Sequence, residues 1–392
     1  MRIILLYICL LPSLAMGQVE KKKAFQLTGV VNDVQEAVDG IIYLSFQQDT
    51  TRMLDSARIV DGRYTFKGTL QYPVLASLKF KVASSVDAEY EGRRMLKDYE
   101  RFFYIDAGDI NLASSSSLRL SSVSGSASEA DKVAVDSLSK PYYNTFNDLY
   151  KKEGQPAYQA KDAAAIQRYE LKREKIFFGI DALNKSFIVE NPSSGLAFDL
   201  LREYCRIKLD PVEIEPMFTA LSAAVRNSKE GKLFAKRIAN AKKTAVGTMA
   251  PEVRLKDKDG ADVLLSSLKG KYVLVDFWGS WCQPCRASHP HLKTLYDAHK
   301  NKGFEIYGIS TERGSLDAQR SKWIKAMEED GMDWVNVLLD EDDGKDYLSD
   351  FSIEAFPTKI LIDRSGMVIA KFVGGSQTNI ELLDQKIASI FN

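Results

Sequence analysis

The stretch YVLVDFWGSWCQPCRASHP, residues 272–290, constrains the fold of this chain more than any other. Its opening run is apolar except for Asp276, the mark of a strand buried on both faces of a sheet that carries helices on each side. Helix signals come close behind. Pro284 suits a first helical turn, where its missing N–H needs no partner, and helix-compatible residues continue beyond it. Cys282 then falls at a helix N-terminus, where free N–H groups and the helix dipole favour a thiolate. That makes Cys282 the attacking sulfur, and Cys285, one turn further on, is placed to resolve a mixed disulfide. A cysteine pair at the junction of strand and helix therefore points to redox chemistry.

The sequence around this stretch supports an α/β domain over 244–392. KYVLVDFW, FEIYGIST, WVNVLLD, TKILID and MVIAKFV read as strands, and RASHPHLKTLYDAHKN, DAQRSKWIKAMEED and NIELLDQKIASIFN as helices. Their order, with a hairpin across Arg364 to Gly366 and a last helix, implies a central mixed sheet covered on both faces.

Upstream the pattern differs. Residues 18–122 read as a small antiparallel β-sandwich, with Asp61-Gly62 as a hairpin turn in RIVDGRYTF and a second turn at Ala107 to Asp109. A Ser-rich connection leads into 123–243, where periodic apolar residues predict amphipathic helices broken at Gly154 to Pro156, Asn191-Pro192 and Asp210-Pro211. At 392 residues, several domains are the natural expectation.

Residues 1–17 have the layout of a secretory signal peptide: Arg2, an apolar run from Ile3 to Leu14, then small residues around Ala15 and Gly17. That run is shorter than the roughly 20 residues of a membrane-spanning helix and contains Pro12, so stable membrane insertion is not expected after cleavage. Cys9 would leave with the signal, and Cys205, Cys282 and Cys285 are too few for a disulfide-stapled scaffold. Lys plus Arg and Asp plus Glu each number 53, which gives no electrostatic case for nucleic acid or an anionic membrane.

The motif W-C-x-P-C at Trp281 to Cys285 after VDFW, together with APEVRLKDKDGADVLLSSLKGK before it and FPTKILIDRSG after it, resembles the thioredoxin superfamily, more narrowly its exported TlpA/ResA-like branch. The resemblance covers about 248–392. It implies a thiol-disulfide oxidoreductase of the periplasm or cell envelope, leaning to reduction, that acts on protein disulfides without a bound cofactor. A membrane electron donor and a link to cytochrome c-type biogenesis come with it. Pro357 is implied to be a cis-proline packed against the Cys282–Cys285 disulfide, with the backbone of Phe356 pairing with substrate and Trp281 and Pro284 on the substrate face. Trp278 is expected in the core. Asp276 aligns with the buried acid that accepts a proton from the resolving cysteine, and its burial is expected to cost folding energy, so that Asp276→Asn melts at or above the wild-type temperature at neutral pH. The branch usually has a glutamate three residues after the second cysteine; Ser288 stands here, so Asp276 is expected to act alone. The upstream region resembles the DUF4369 module, on GIIYLSF, DSARIVDGRYTFKG and FIVENPSSGLAFDLL. No function follows from that likeness, and a binding or dimerisation role that presents the redox domain to a partner, or builds an oligomer, stays open.

Other chemistries fit the residues less well. His289, His291 and His299 come after the cysteines, but C-x2-C then H-x-H lacks the spacing that lets four zinc ligands converge. A peroxiredoxin-like peroxidase needs Thr or Ser three residues before the peroxidatic cysteine, and Gly279 stands there. Cys205, on a helical pattern far from the pair, reads as a buried inert thiol.

Overall fold

A computed structural model describes residues 22–31, 40–49, 51–80, 100–114, 117–206, 209–339 and 345–391; the leader read at 1–17 lies outside them. The chain divides into compact units after Gly125.

The first unit holds strands β1 (Lys23–Val31), β2 (Ile41–Gln48), β3 (Thr51–Arg58), β4 (Arg63–Leu70), β5 (Val74–Phe80), β6 (Glu100–Ile105), β7 (Gly108–Ser114) and β8 (Ser122–Ser124). They form two four-stranded sheets, ordered β4-β1-β7-β8 and β3-β2-β5-β6. Alternating residues such as Phe25 and Leu27 of β1 and Val74, Ala76, Leu78 and Phe80 of β5 build one shared core. The Asp61-Gly62 turn forms with both residues at positive φ (50° and 70°), closed by a Val60–Arg63 bridge. The strands it joins then part: β3 pairs with β2, and β4 with β1. The turn thus passes the chain from one sheet to the other, and the turn between β6 and β7 does the same. As a result β7 lies parallel to β1, whereas the other strand pairings among the described residues of this unit are antiparallel.

The second unit begins with α1 (Ala127–Leu149), N-capped by the Ser126 hydroxyl, which accepts from the Glu129 N–H at 3.0 Å. The expected break at Gly154 to Pro156 is absent. The helix instead widens into a π-helical turn, Tyr150–Gly154, in which the Gln155 N–H bonds to the Tyr150 carbonyl, and runs on as α2 (Gln155–Ala160). The wider turn accommodates Pro156, which has no N–H to give. The break comes at Lys161, left-handed at φ 54°, and Asp162 caps α3 (Ala163–Glu190). Next come α4 (Gly195–Tyr204), α5 (Pro211–Ala220) behind the Asp210 cap, α6 (Ala223–Asn227) and α7 (Lys229–Lys243).

The helical stretch is not a separate body from the C-terminal α/β portion, because α7 packs on the segment around α10 (Tyr347–Asp350). Arg237 pairs with Glu354, Asn240 donates to Ser349 Oγ at 2.7 Å, and Lys243 pairs with Asp350 at 3.0 Å.

The remaining strands are β9 (Arg254–Lys256), β10 (Asp262–Leu264), β11 (Tyr272–Trp278), β12 (Phe304–Ser310), β13 (Val335–Leu338), β14 (Thr358–Ile362) and β15 (Val368–Val373), in one sheet of order β10-β9-β13-β12-β11-β14-β15. Helices α8 (Gln283–His299), α9 (Leu316–Asp330) and α11 (Gln377–Phe391) come after β11, β12 and β15. Central β11 runs parallel to β12 and antiparallel to β14, which makes the sheet mixed. Its alternate residues serve opposite faces. Val273, Val275 and Phe277 pack with Tyr347, Phe351 and Ile353, whereas Leu274 packs with Leu292 of α8 and Leu383 and Ile387 of α11. Asp276 and Trp278 share that second face, and Trp278 meets Trp323 of α9. Among the described residues no helix is long and apolar enough to cross a membrane.

Candidate redox site

At the C-terminal end of β11 the chain turns through Gly279 and Ser280 into α8, with Cys282 as the helix N-cap. Cys282 and Cys285 are joined by a disulfide, S–S 2.01 Å, and both are buried. The Cys285 N–H donates to Cys282 Sγ at 3.2 Å, so the helix start already supplies a hydrogen bond to the sulfur that would carry negative charge. Glu312 holds the loop in front: its carboxylate accepts from the Ser280 N–H and from Ser280 Oγ, each at 2.7 Å, and from Ser310 Oγ at 3.1 Å.

The Phe356–Pro357 peptide is cis and lies just ahead of β14. Phe356 packs on the cluster of Cys282, Cys285, Trp278 and Trp323. Trp281, 43% exposed, meets Phe356 edge to face at 5.3 Å between ring centres, donates from Nε1 to the Thr311 carbonyl at 2.9 Å, and carries the Arg313 guanidinium over its ring at 5.0 Å. Gln283 and Pro284 are exposed beside it. Trp278, in contrast, is fully buried. Of the predicted residues, Trp281 and Pro284 are exposed next to Cys282 and Cys285 in the chain, Phe356 packs on the cysteine cluster, and Pro357 is buried.

Two glycines, Gly279 and Gly375, fit closely around this face, and the second carries no signal of its own in the sequence. A Cβ on Gly279 would lie 2.7 Å from the Thr311 carbonyl oxygen, so the Thr or Ser of a peroxidatic motif has no room there. A Cβ on Gly375 would lie 3.2 Å from Pro284 Cβ and 3.7 Å from Pro357 Cγ, which places bare backbone against both prolines.

Asp276 is fully buried, as expected, and has charged and titratable neighbours. Lys359 on β14 lies directly opposite in register and donates to Asp276 Oδ1 at 2.9 Å. His289, also fully buried, brings Nε2 to 4.0 Å from Asp276 Oδ2. Lys359 is legible as the one charge in the apolar run TKILI, although nothing local says which acid it meets. Ser288, at the position of the branch's glutamate, is buried and donates to the Cys285 carbonyl at 2.7 Å. The other histidines face elsewhere: His291 pairs with Asp384 at 2.8 Å and His299 stacks on Phe391. Cys205 is free and buried, and burial pushes its thiol up to about 11.

Known proteins are similar to this chain in sequence. The family model Redoxin matches residues 245–387, and the Domain of unknown function (DUF4369) matches 25–131. Thiol-disulfide oxidoreductase ResA of Bacillus cereus is 31% identical over 144 residues, covering 37% of this chain and 78% of that protein. ResA of Geobacillus thermodenitrificans is 32% identical over 146 residues, covering 37% and 78%. A crystal structure of the thioredoxin domain of a Bacteroides vulgatus thiol-disulfide oxidoreductase is 42% identical, covers 38% of this chain and 99% of that one, and has a TM-score of 0.33. The chain belongs to the TlpA/ResA-like thiol-disulfide oxidoreductases of the thioredoxin superfamily.

Proposed function

We propose that this protein reduces disulfides of exported protein substrates in the cell envelope through Cys282 and Cys285. The observation that supports this most is the conjunction at the end of β11: a disulfide at a helix N-terminus, a cis Phe356–Pro357 peptide beside it, and an exposed rim of Trp281 and Pro284. In the reduced protein the Cys282 thiolate attacks a substrate disulfide, forming a Cys282–substrate bond and releasing one substrate thiolate. Cys285 then attacks Cys282 Sγ, the second substrate thiolate leaves, and the Cys282–Cys285 bond closes; two electrons have passed to the substrate. Asp276 takes the proton that Cys285 gives up, and the backbone at Phe356 and Pro357 holds the substrate strand. A donor in the membrane returns the two electrons. The pair needs no bound cofactor for this exchange.

The test is insulin-disulfide reduction by the wild type and by Cys282→Ser. Turnover by the wild type and none by the variant is expected; turnover retained by the variant overturns the proposal. Equilibration against glutathione buffers fixes the direction, and a potential near the ~ −120 mV of a dedicated disulfide-forming oxidant would reverse it.

A further inference from the structure

His289 is a buried titratable group to which disulfide exchange by Cys282, Cys285 and Asp276 gives no task. It lies four residues beyond Cys285 on α8, on the same helix face. Its ring stands edge-on to Trp278 at 5.0 Å and to Trp334 at 6.3 Å. Nδ1 lies 2.6 Å from Asp330 Oδ2. Arg286 donates to the same carboxylate from Nε at 3.0 Å and from Nη2 at 2.6 Å, and also reaches Glu329 at 2.8 Å. Burial would raise the Asp330 carboxyl, but the hydrogen bonds from Arg286 and His289 outweigh it and hold Asp330 below the usual carboxylate range. An ionised Asp330 fixes the tautomer: Nδ1 carries the proton and Nε2 is an acceptor.

That acceptor faces another. Nε2 lies 4.0 Å from Asp276 Oδ2, while Lys359 occupies Oδ1. Neither Nε2 nor Oδ2 has a hydrogen-bond partner among the described residues, and both are buried. Two buried acceptors facing each other are unfavourable, and a proton on either satisfies both once the two atoms close from 4.0 Å to hydrogen-bond distance.

We propose that Asp276 and His289 together form a relay for one proton, which His289 carries from the resolving cysteine to Asp330 near the surface. The inference rests on disulfide exchange being the reaction of this site. As Cys285 attacks Cys282 Sγ, its proton passes to the Asp276 carboxylate. From Oδ2 the proton moves to Nε2, giving a transient imidazolium that passes its Nδ1 proton to Asp330, whose side chain is 13% exposed and releases it to water; a turn of the ring then restores Nδ1–H for the next passage. The electrons stay on the sulfurs. Burial holds the imidazole below its ordinary pKa against the pull of Asp276 and Asp330, so it is neutral at rest and charged only in passing. Lys359 faces Asp276 from the sheet, and Arg286 and Glu329 border Asp330.

The test uses the full chain with His289→Gln and His289→Phe. Gln keeps a donor for Asp330 but cannot relay a proton. Stopped-flow Trp fluorescence across pH 5 to 9 should show the first attack by Cys282 unchanged in both variants, with resolution slowed about tenfold and its pH inflection lost. Resolution at the wild-type rate and pH profile in His289→Gln overturns the proposal. A second measurement needs neither substrate nor these variants: the nitrogen NMR titration of His289 in wild type and Asp276→Asn. Coupling of His289 to the Asp276 carboxylate, which the relay requires, predicts a downward shift of the His289 titration by about one unit in Asp276→Asn, and no shift overturns the proposal. Failure of the wild type to reduce insulin would instead sink the exchange reading and leave the NMR coupling to stand or fall separately.

Discussion

Lys359 and Asp276 lie opposite each other on neighbouring central strands, ammonium to carboxylate at 2.9 Å, with side-chain exposures of 9% and 0%. A buried acid with a counter-charge obeys different energetics from a buried acid alone. Removing one partner strands the other charge in a medium that cannot solvate it, at about 3–5 kcal/mol, whereas replacing both with apolar groups is often close to neutral. Asp276→Asn should therefore melt below the wild type, which reverses the expectation drawn from burial alone, because Lys359 supplies a counter-charge. Urea unfolding should show Asp276→Leu and Lys359→Met each strongly destabilised and the double variant far less so than their sum. Additive losses would mean that the two side chains do not act as a pair.

How much of this site the chain displays locally depends on the kind of contact involved. The doubly buried strand and its cysteines are contiguous, so the apolar run of 272–278 and Pro284 are enough to place Cys282 at a helix start. The Lys359–Asp276 pair and the His289–Asp330 contact join residues 83 and 41 positions apart, and their geometry exists only once β14 and α9 dock. The same holds upstream. The Asp61-Gly62 turn is readable, but not that its flanking strands enter different sheets, because turn chemistry sets a local reversal and not the partner beyond it.

Gly375 offers a narrower test. Its φ lies outside the left-handed region, so alanine is conformationally allowed, yet the added methyl must enter 3.2 Å from Pro284 Cβ, and both prolines beside it are stiff rings. Gly375→Ala should fold with a melting temperature near that of the wild type and lose about fivefold in kcat/KM, the size expected from a small misplacement of the reacting groups. Unchanged insulin reduction would show that the Pro284–Pro357 face tolerates the shift.

Trp281 is half exposed yet held on three sides, by the Thr311 carbonyl, the Arg313 guanidinium and Phe356. An aromatic fixed at the rim of a buried reactive pair is suited to bind substrate more than to hold the fold together. For Trp281→Ala we expect KM for a protein disulfide to rise roughly tenfold with kcat little changed and stability within about 1 kcal/mol of wild type. Trp281→Phe should recover part of the loss. A collapse in stability without a change in KM would assign Trp281 to the core.

Lys371 on β15 sets a pH dependence of its own. Its ammonium donates to the Phe351 carbonyl at 3.0 Å and the Ser352 carbonyl at 3.3 Å, and burial lowers its pKa from 10.5 to about 8 against the opposing pull of Glu354. Between those two values the unfolded chain holds a proton that the folded protein does not, so this group's contribution to stability rises with pH. It is fully present above the unfolded pKa and is lost as pH falls through the folded one. The slope is at most about 1.4 kcal/mol per pH unit, giving an upper bound of about 3 kcal/mol across the window. Lys371→Met removes the titration and leaves other alkaline effects common to both proteins. The stability difference, variant minus wild type, should therefore be largest at pH 7 and shrink steadily toward pH 10.5 in paired urea unfolding curves. A difference independent of pH would mean that the Lys371 ammonium is as well solvated in the folded protein as in the unfolded chain.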